Sequence, residues 1–340
     1  DHIGDVILSI PAVANLRAHF PQAYIAMVVN PSSEPIARRI PYVDEIICYN
    51  ARFFDRSGSA KMLDLARGLR FAREMRDRQF DLIVDLRGSF ASLLFALIAD
   101  SRYRLDRGTY LVLRKLGRTS PASGHEAEVS LDILARAGIP IRSRKTSLRL
   151  TREDLDSADT LLKEHKKPDL GFIAVIHPGG PSPLKRWSVE RYVQLIQQLL
   201  YEYHAHVLLV GGRGEERIAY SIASYVKERI RDLSGQTTLG QLLAILSKAD
   251  LFIGNDSGPM HMASACGTRV IGLFGPTDPE RFGPYGDNCI ALRMEKDCSP
   301  CAQNECRFPD YRCVDRISVD DVVTVVNKML ERQSERSINL

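Results

Sequence analysis

Short runs of apolar and β-branched residues alternate with longer stretches whose apolar positions recur at helical spacing along most of the chain. That alternation predicts βαβ units, hence an α/β fold with parallel sheets. In the first half, "AYIAMVVN" (Ala23–Asn30), "EIICY" (Glu45–Tyr49) and "DLIVDL" (Asp81–Leu86) read as strands, with a helix over Ser59–Arg78. The second half carries "GFIAVIHP" from Gly171, "HVLLVGG" from His206, "DLFIGND" from Asp250 and "RVIGLFG" from Arg269. Such near-continuous apolar strands are expected where helices cover both faces of a sheet. Ser188 is placed to cap a helix with Val189, Tyr192, Val193 and Ile196 on one face, and Thr238 with Gln241 forms a capping box. Asp321–Arg332 reads as a terminal helix. Thr151–Lys167 reads as a charged amphipathic helix running into Pro168, so the expected domains are 1–165 and 166–340.

A length of 340 residues suits two domains. The longest uncharged apolar run, "FASLLFALIA" from Phe90, falls short of the ~18 residues a membrane span needs. A net charge of +4 selects no partner, but Arg102–Arg118 gathers six basic residues against one acid. That segment is either a solvated loop or a surface for an anionic partner. Seven cysteines and no visible export signal favour a reducing, cytoplasmic setting. The chain opens on Asp1, at what reads as the junction between a preceding strand and a helix over Val6–His19 that Pro11 bends.

Four turns at strand ends could carry chemistry. In "IGNDSGPMH" a buried strand meets a helix whose first turn holds Pro259, so the amides near Ser257 and Gly258, with the helix dipole, form an anion site. The bland reading is that Asp256 and Ser257 cap the helix. "VGGRGEER" from Val210 opens another helix, where Glu215 either accepts ribose hydroxyls or complements the dipole. "HPGGPSPLKRW" from His177 puts Lys185 and Arg186 just beyond a strand; Lys185 is a point charge for a diphosphate, or one cation of a solvated loop. At the start, Gly4 and Asp5 would follow a strand, with Asp5 a general base or a helix cap. All four turns fall where open α/β sheets bind ligands.

Together "IGDVILSIPAVANLRAHFPQA", "DLIVDLRGSFASLLFAL", "HPGGPSPLKRWSVERY", "LVGGRGEER" and "LFIGNDSGPMHMASACGTRVIGLFGPTDPERFGPYG" resemble the bacterial heptosyltransferases, in order and over nearly the whole chain. The cysteine-rich tail is similar to the subgroup that resembles heptosyltransferase II. The resemblance implies a GT-B fold of two Rossmann-like domains, a first strand missing before Asp1, an ADP-heptose donor, and an acceptor in the lipid A/Kdo inner core of lipopolysaccharide at the cytoplasmic face of the inner membrane. It implies inverting transfer with no metal or other cofactor and no nucleic-acid partner. By position, Asp5 matches the general base and Lys185 the lysine on the donor. Asp256, Ser257, Gly258, Pro259 and His261 match the stretch on diphosphate and sugar, with Asp256 expected on the sugar, and Glu215 the acid near the ribose. Arg269 departs from the pattern where a proline is usual. Another donor or acceptor on the same fold, and a nucleotide-sugar binding protein without turnover, are the alternatives.

Cys298, Cys301, Cys306 and Cys313 give C-x₂-C-x₄-C-x₆-C, which suits a structural zinc, a reduced knot or disulfides formed on purification, placed away from the proposed chemistry. Cys48, Cys266 and Cys289 read as small buried apolar residues.

Overall fold

A computed structural model of the chain describes residues 2–50, 62–107, 124–163, 172–226, 230–295, 298, 300–301, 305–308 and 312–338. Two compact units emerge: residues 1–38 with 42–144, and residues 39–41 with 145–340.

The first unit contains α1 (Ile3–His19), β1 (Ala26–Val29), α2 (Glu34–Ala37), β2 (Glu45–Cys48), α3 (Met62–Asp77), β3 (Leu82–Asp85), α4 (Phe90–Ile98), β4 (Tyr103–Asp106) and α5 (Glu126–Arg136). Its strands form two parallel pairs, β1 with β2 and β3 with β4. Helix α1 is buried continuously from Val6 to Asn15, the pattern of a helix apolar all round and enclosed by its neighbours. It packs on α5 and α2. Asn15 works as a backbone mimic: its Oδ1 accepts from the Arg142 and Ser143 amides at 2.6 and 3.2 Å, and its Nδ2 donates to the Ser143 carbonyl at 2.7 Å. Strand β4 was hidden in the basic segment. Its pairing uses the chain from Tyr103 to Asp106, while Arg104 and Arg107 are ion-paired with Asp106 and Glu126. Residues 108–118 of that segment lie outside the described residues.

The second unit runs α6 (Arg152–Lys163), β5 (Ile173–His177), α7 (Val189–Tyr201), β6 (His206–Leu209), α8 (Glu216–Val226), β7 (Ile230–Asp232), α9 (Leu239–Lys248), β8 (Leu251–Asn255), α10 (Gly258–Ala265), β9 (Arg269–Phe274), α11 (Pro279–Phe282), β10 (Cys289–Arg293) and α12 (Val319–Ile338). Its six strands are all parallel in the order β10-β9-β8-β5-β6-β7. Strands β6 and β8 are buried at every position, as the apolar runs required. On α7, Tyr192 and Ile196 are fully buried with Val189 and Val193 packed beside them, and Ser188 accepts the Arg191 amide as its cap. The Thr238–Gln241 capping box closes reciprocally at 2.9 and 3.2 Å.

The units part at Arg144 and Lys145 rather than at the expected 165/166. Helix α6 is the reason, because it packs on α9 and its Asp154 forms a half-sheltered ion pair with Arg39 at 2.7 Å. Burial pushes the Asp154 carboxyl up, but hydrogen bonds from Thr151 and Arg39 outweigh it and hold the group below its ordinary value. Pro168 falls in residues 164–171, outside the described residues.

The chain leaves β5 toward β6 and β7, then returns to add β8, β9 and β10 on the other side of β5. The switch point therefore lies between β5 and β8, whose carboxyl ends are His177 and Asn255.

Candidate active site

Asn255 ends an otherwise apolar strand and is fully buried. A buried amide needs partners for two donors and an oxygen, and this one has them all. Its Oδ1 accepts from the Trp187 amide and the Tyr192 hydroxyl, both at 3.1 Å. Its Nδ2 donates to the carbonyls of Pro178 and Gly179, at 2.9 and 2.7 Å. One side chain thereby fixes the loop 178–187 against the end of β8. Arg186 completes the loop, donating to the Gly180 carbonyl at 2.7 and 3.0 Å.

On that fixed loop, Lys185 reaches Asp256, with Nζ 2.6 Å from Oδ2 and both side chains largely buried. The two residues are 71 positions apart in sequence. Burying a pair is tolerable only with short geometry, and this contact has it. Lys185 thereby neutralises Asp256 in place.

Helix α10 begins immediately after. Ser257 occupies the N-cap position but makes no side-chain bond to its own helix, and Pro259 lies in the first turn. The Ser257 hydroxyl is drawn elsewhere, donating to the Asn255 carbonyl at 2.9 Å and hydrogen-bonding His177 Nδ1 at 3.0 Å. Asp256 is committed to Lys185, so neither residue is the cap that the bland reading made them. No side-chain cap bond from Ser257 reaches the first amides of α10, where Pro259 has no N–H and the helix end carries partial positive charge. His261 is buried on the second half of that turn.

Glu215 stands before α8. Its Oε1 accepts from the Gly180 amide at 2.7 Å, and its Oε2 from the Gly212 amide at 2.7 Å while meeting His177 Nε2 at 3.2 Å. Burial pushes this carboxyl up, yet the His177 ring and the two amides bring it down to about 2. A Cβ on Gly179 would lie 2.1 Å from Glu215 Oε1, which is why the loop carries glycine there. Of roughly four acceptor positions on the carboxylate, three are used, so one remains for a ribose hydroxyl. The neighbouring Glu216 accepts from the Gly214 amide at 2.6 Å.

Lys185, Glu215, Asp256, Ser257, Gly258, Pro259 and His261 thus gather at one sheet edge. Asp5 belongs to the first unit. It is exposed in the first turn of α1 and accepts the His2 amide at 3.2 Å. His177 and Asn255 lie within the quoted motifs without an assigned role; a polar residue closing an apolar strand is the signal for both.

The cysteine segment is nearer the site than expected, since Arg312 donates to the Pro183 carbonyl at 2.9 Å, two residues before Lys185. All seven cysteines are free, and among the described residues no three His, Cys, Asp or Glu side chains group to hold a metal. Burial pushes the Cys266 and Cys289 thiols up to about 12, whereas Cys48 ends the edge of β2 exposed rather than buried.

An uncapped helix start, a buried lysine–aspartate pair and a hydrogen-bonded carboxylate meet at the switch point of a parallel sheet, the place where open α/β sheets bind ligands. The sequence model of glycosyltransferase family 9 (heptosyltransferase) matches residues 68–312, and the chain belongs to that family. It is 24% identical to lipopolysaccharide heptosyltransferase 3 of Escherichia coli K12, covering 96% of this chain and 95% of the relative. Among solved structures it resembles the Escherichia coli ADP-heptose lps heptosyltransferase II (TM-score 0.73, 20% identity, 98% and 97% of the two chains). It also resembles the family 9 glycosyltransferase of Veillonella parvula (TM-score 0.78, 22% identity, 98% and 95%). The fold is that of the GT-B heptosyltransferases. Among the described residues no helix is long and apolar enough to cross a membrane.

Proposed function

We propose that this chain transfers heptose from ADP-heptose to the inner core of lipopolysaccharide, with inversion at the anomeric carbon. The observation that carries the reading is the Lys185–Asp256 pair at the uncapped start of α10. An ADP diphosphate lies on the α10 amides, with Lys185 as the compact cation that takes up charge as ADP departs. Glu215 directs its remaining acceptor position at the ribose, and Asp256 serves the sugar. Donors fixed in advance act where charge develops, and removing one costs about 10²–10³ in rate.

Asp5 is the general base for the acceptor hydroxyl. Exposure at a helix start leaves one carboxylate oxygen free of the His2 amide, which suits a group that must meet a second substrate. The acceptor is of the lipid A/Kdo type, met at the inner membrane surface from the cytoplasm, with the basic segment 102–118 on its anionic groups. The names of the family relatives support the lipopolysaccharide assignment.

The test is a panel of nucleotide-sugar donors with released ADP as the readout. ADP-heptose should be the preferred donor. Asp5→Asn should abolish transfer and leave ADP affinity within about twofold, since Asn keeps an acceptor for His2 but no basicity. Loss of ADP affinity in that variant, or equal turnover with unrelated donors, would overturn the reading.

A further inference from the structure

We infer that His177 is a positioning residue that keeps the Ser257 hydroxyl off its own helix, so that the first amides of α10 stay open to a phosphate. This rests on the donor reading above and concerns a residue which that reading does not use.

A serine at an N-cap ordinarily turns its oxygen onto the amide two or three residues ahead. Ser188 on α7 does so, accepting the Arg191 amide. Ser257 does not, although its backbone is extended as a cap requires. Two partners hold its hydroxyl elsewhere: the Asn255 carbonyl at 2.9 Å, and His177 on the neighbouring strand, the one side chain among them. His177 closes β5, is 98% buried, and holds Ser257 Oγ at 3.0 Å through Nδ1. The imidazole is in turn fixed by Glu215 at 3.2 Å through Nε2, and Glu215 is fixed by the Gly180 and Gly212 amides. Glu215 is a carboxylate that can only accept, so Nε2 carries the proton that faces it, and Nδ1 is the nitrogen that meets the Ser257 hydroxyl. A rigid path therefore runs from the turn before α8, through the ring, to the start of α10. Its effect is to leave the start of α10 without a side-chain cap from Ser257.

The two nitrogens can be separated by substitution. Asn places an amide where Nδ1 stands, three bonds from Cα, whereas Gln reaches the place of Nε2. In His177→Gln the contact with Glu215 survives and Ser257 is released to cap α10, competing with phosphate. In His177→Asn the Ser257 contact survives and the Glu215 end is lost.

The experiment titrates ADP and AMP against the full chain, because their affinity ratio reads the hold on the outer phosphate. His177→Gln should lower that ratio by about fivefold to tenfold, the worth of one cap bond. Adding Ser257→Ala to His177→Gln should restore it, since no hydroxyl is then left to occupy the amides. His177→Asn should weaken both nucleotides together and keep the ratio, and Ser257→Ala alone should not lower it. A purely structural role would move ADP and AMP alike in every variant. A ratio unchanged in His177→Gln, or unrestored by Ser257→Ala, overturns the inference. If His177→Gln does not fold, a lowered ratio in His177→Asn or in Ser257→Ala overturns it as well. A wild-type chain that binds neither nucleotide overturns the donor reading and this inference with it; binding of both without a split between the variants overturns the inference alone.

Discussion

Asn255→Asp changes one atom of the buried side chain and reverses half of its hydrogen bonding. The two acceptor contacts, to the Trp187 amide and the Tyr192 hydroxyl, survive. The two donor contacts do not, and a carboxylate oxygen would face the carbonyls of Pro178 and Gly179 at the present 2.9 and 2.7 Å. The cheapest escape is protonation of the new acid. From an ordinary carboxyl value of about 3.9, protonation at about pH 7 costs about 4 kcal/mol. The acid then has one O–H for two carbonyls, so one further hydrogen bond of about 1 kcal/mol is lost. The deficit should therefore be close to 5 kcal/mol at neutral pH. Because the folded-state pKa of the new acid is raised, the deficit is largest at high pH and shrinks as pH falls, by about 1.4 kcal/mol per unit. Near pH 5 about 2.5 kcal/mol should remain. Urea unfolding followed by tryptophan emission is the assay, since Trp187 is the sole tryptophan and its amide is one of the four partners. A variant as stable as wild type at neutral pH, or a deficit that stays flat down to about pH 5, would refute the role given to Asn255.

Lys185→Ala should lower turnover by about 10²–10³ and also destabilise the second unit by about 3–5 kcal/mol, because Asp256 is left buried and unpaired. Adding Asp256→Asn should recover the urea midpoint but not the rate of ADP release. Glu215→Gln should remove an acid-side slope in stability. The wild-type carboxylate is lowered to about 2, so its contribution is complete above about 4.3 and is lost as pH falls toward about 2, a dependence the variant should lack in thermal melts across that range.

Seven strands were legible because each is an apolar run bounded by turn residues. The missed ones had no such signature. Strand β4 reads "YRLD" and its charges are satisfied in pairs, β7 is three residues long, and β10 is an edge strand half-exposed throughout. At the site, chemistry-bearing types at strand ends were legible, so Lys185, Glu215 and Asp256 could be named. Their pairing was not. That Lys185 neutralises Asp256, or that Ser257 forgoes its cap, depends on which strands are neighbours, and sequence order alone does not state that β8 lies beside β5. The side to which α6 belongs was hidden for a similar reason, since it depends on its partners α9 and Arg39.

The insertion of β8 beside β5 also bears on how the chain acquires its site. Strand β5 can pair with β6 soon after both exist, but its other edge waits for a strand whose first contact, Asp250 to Ile173, spans 77 residues. Closing so long a loop is entropically late and slow. Until then β5 offers an open apolar edge, the kind that recruits other chains. Asn255, Asp256 and Ser257 arrive with β8, so no partial intermediate should bind nucleotide weakly: ligand affinity should appear in one step, together with the burial of the tryptophan.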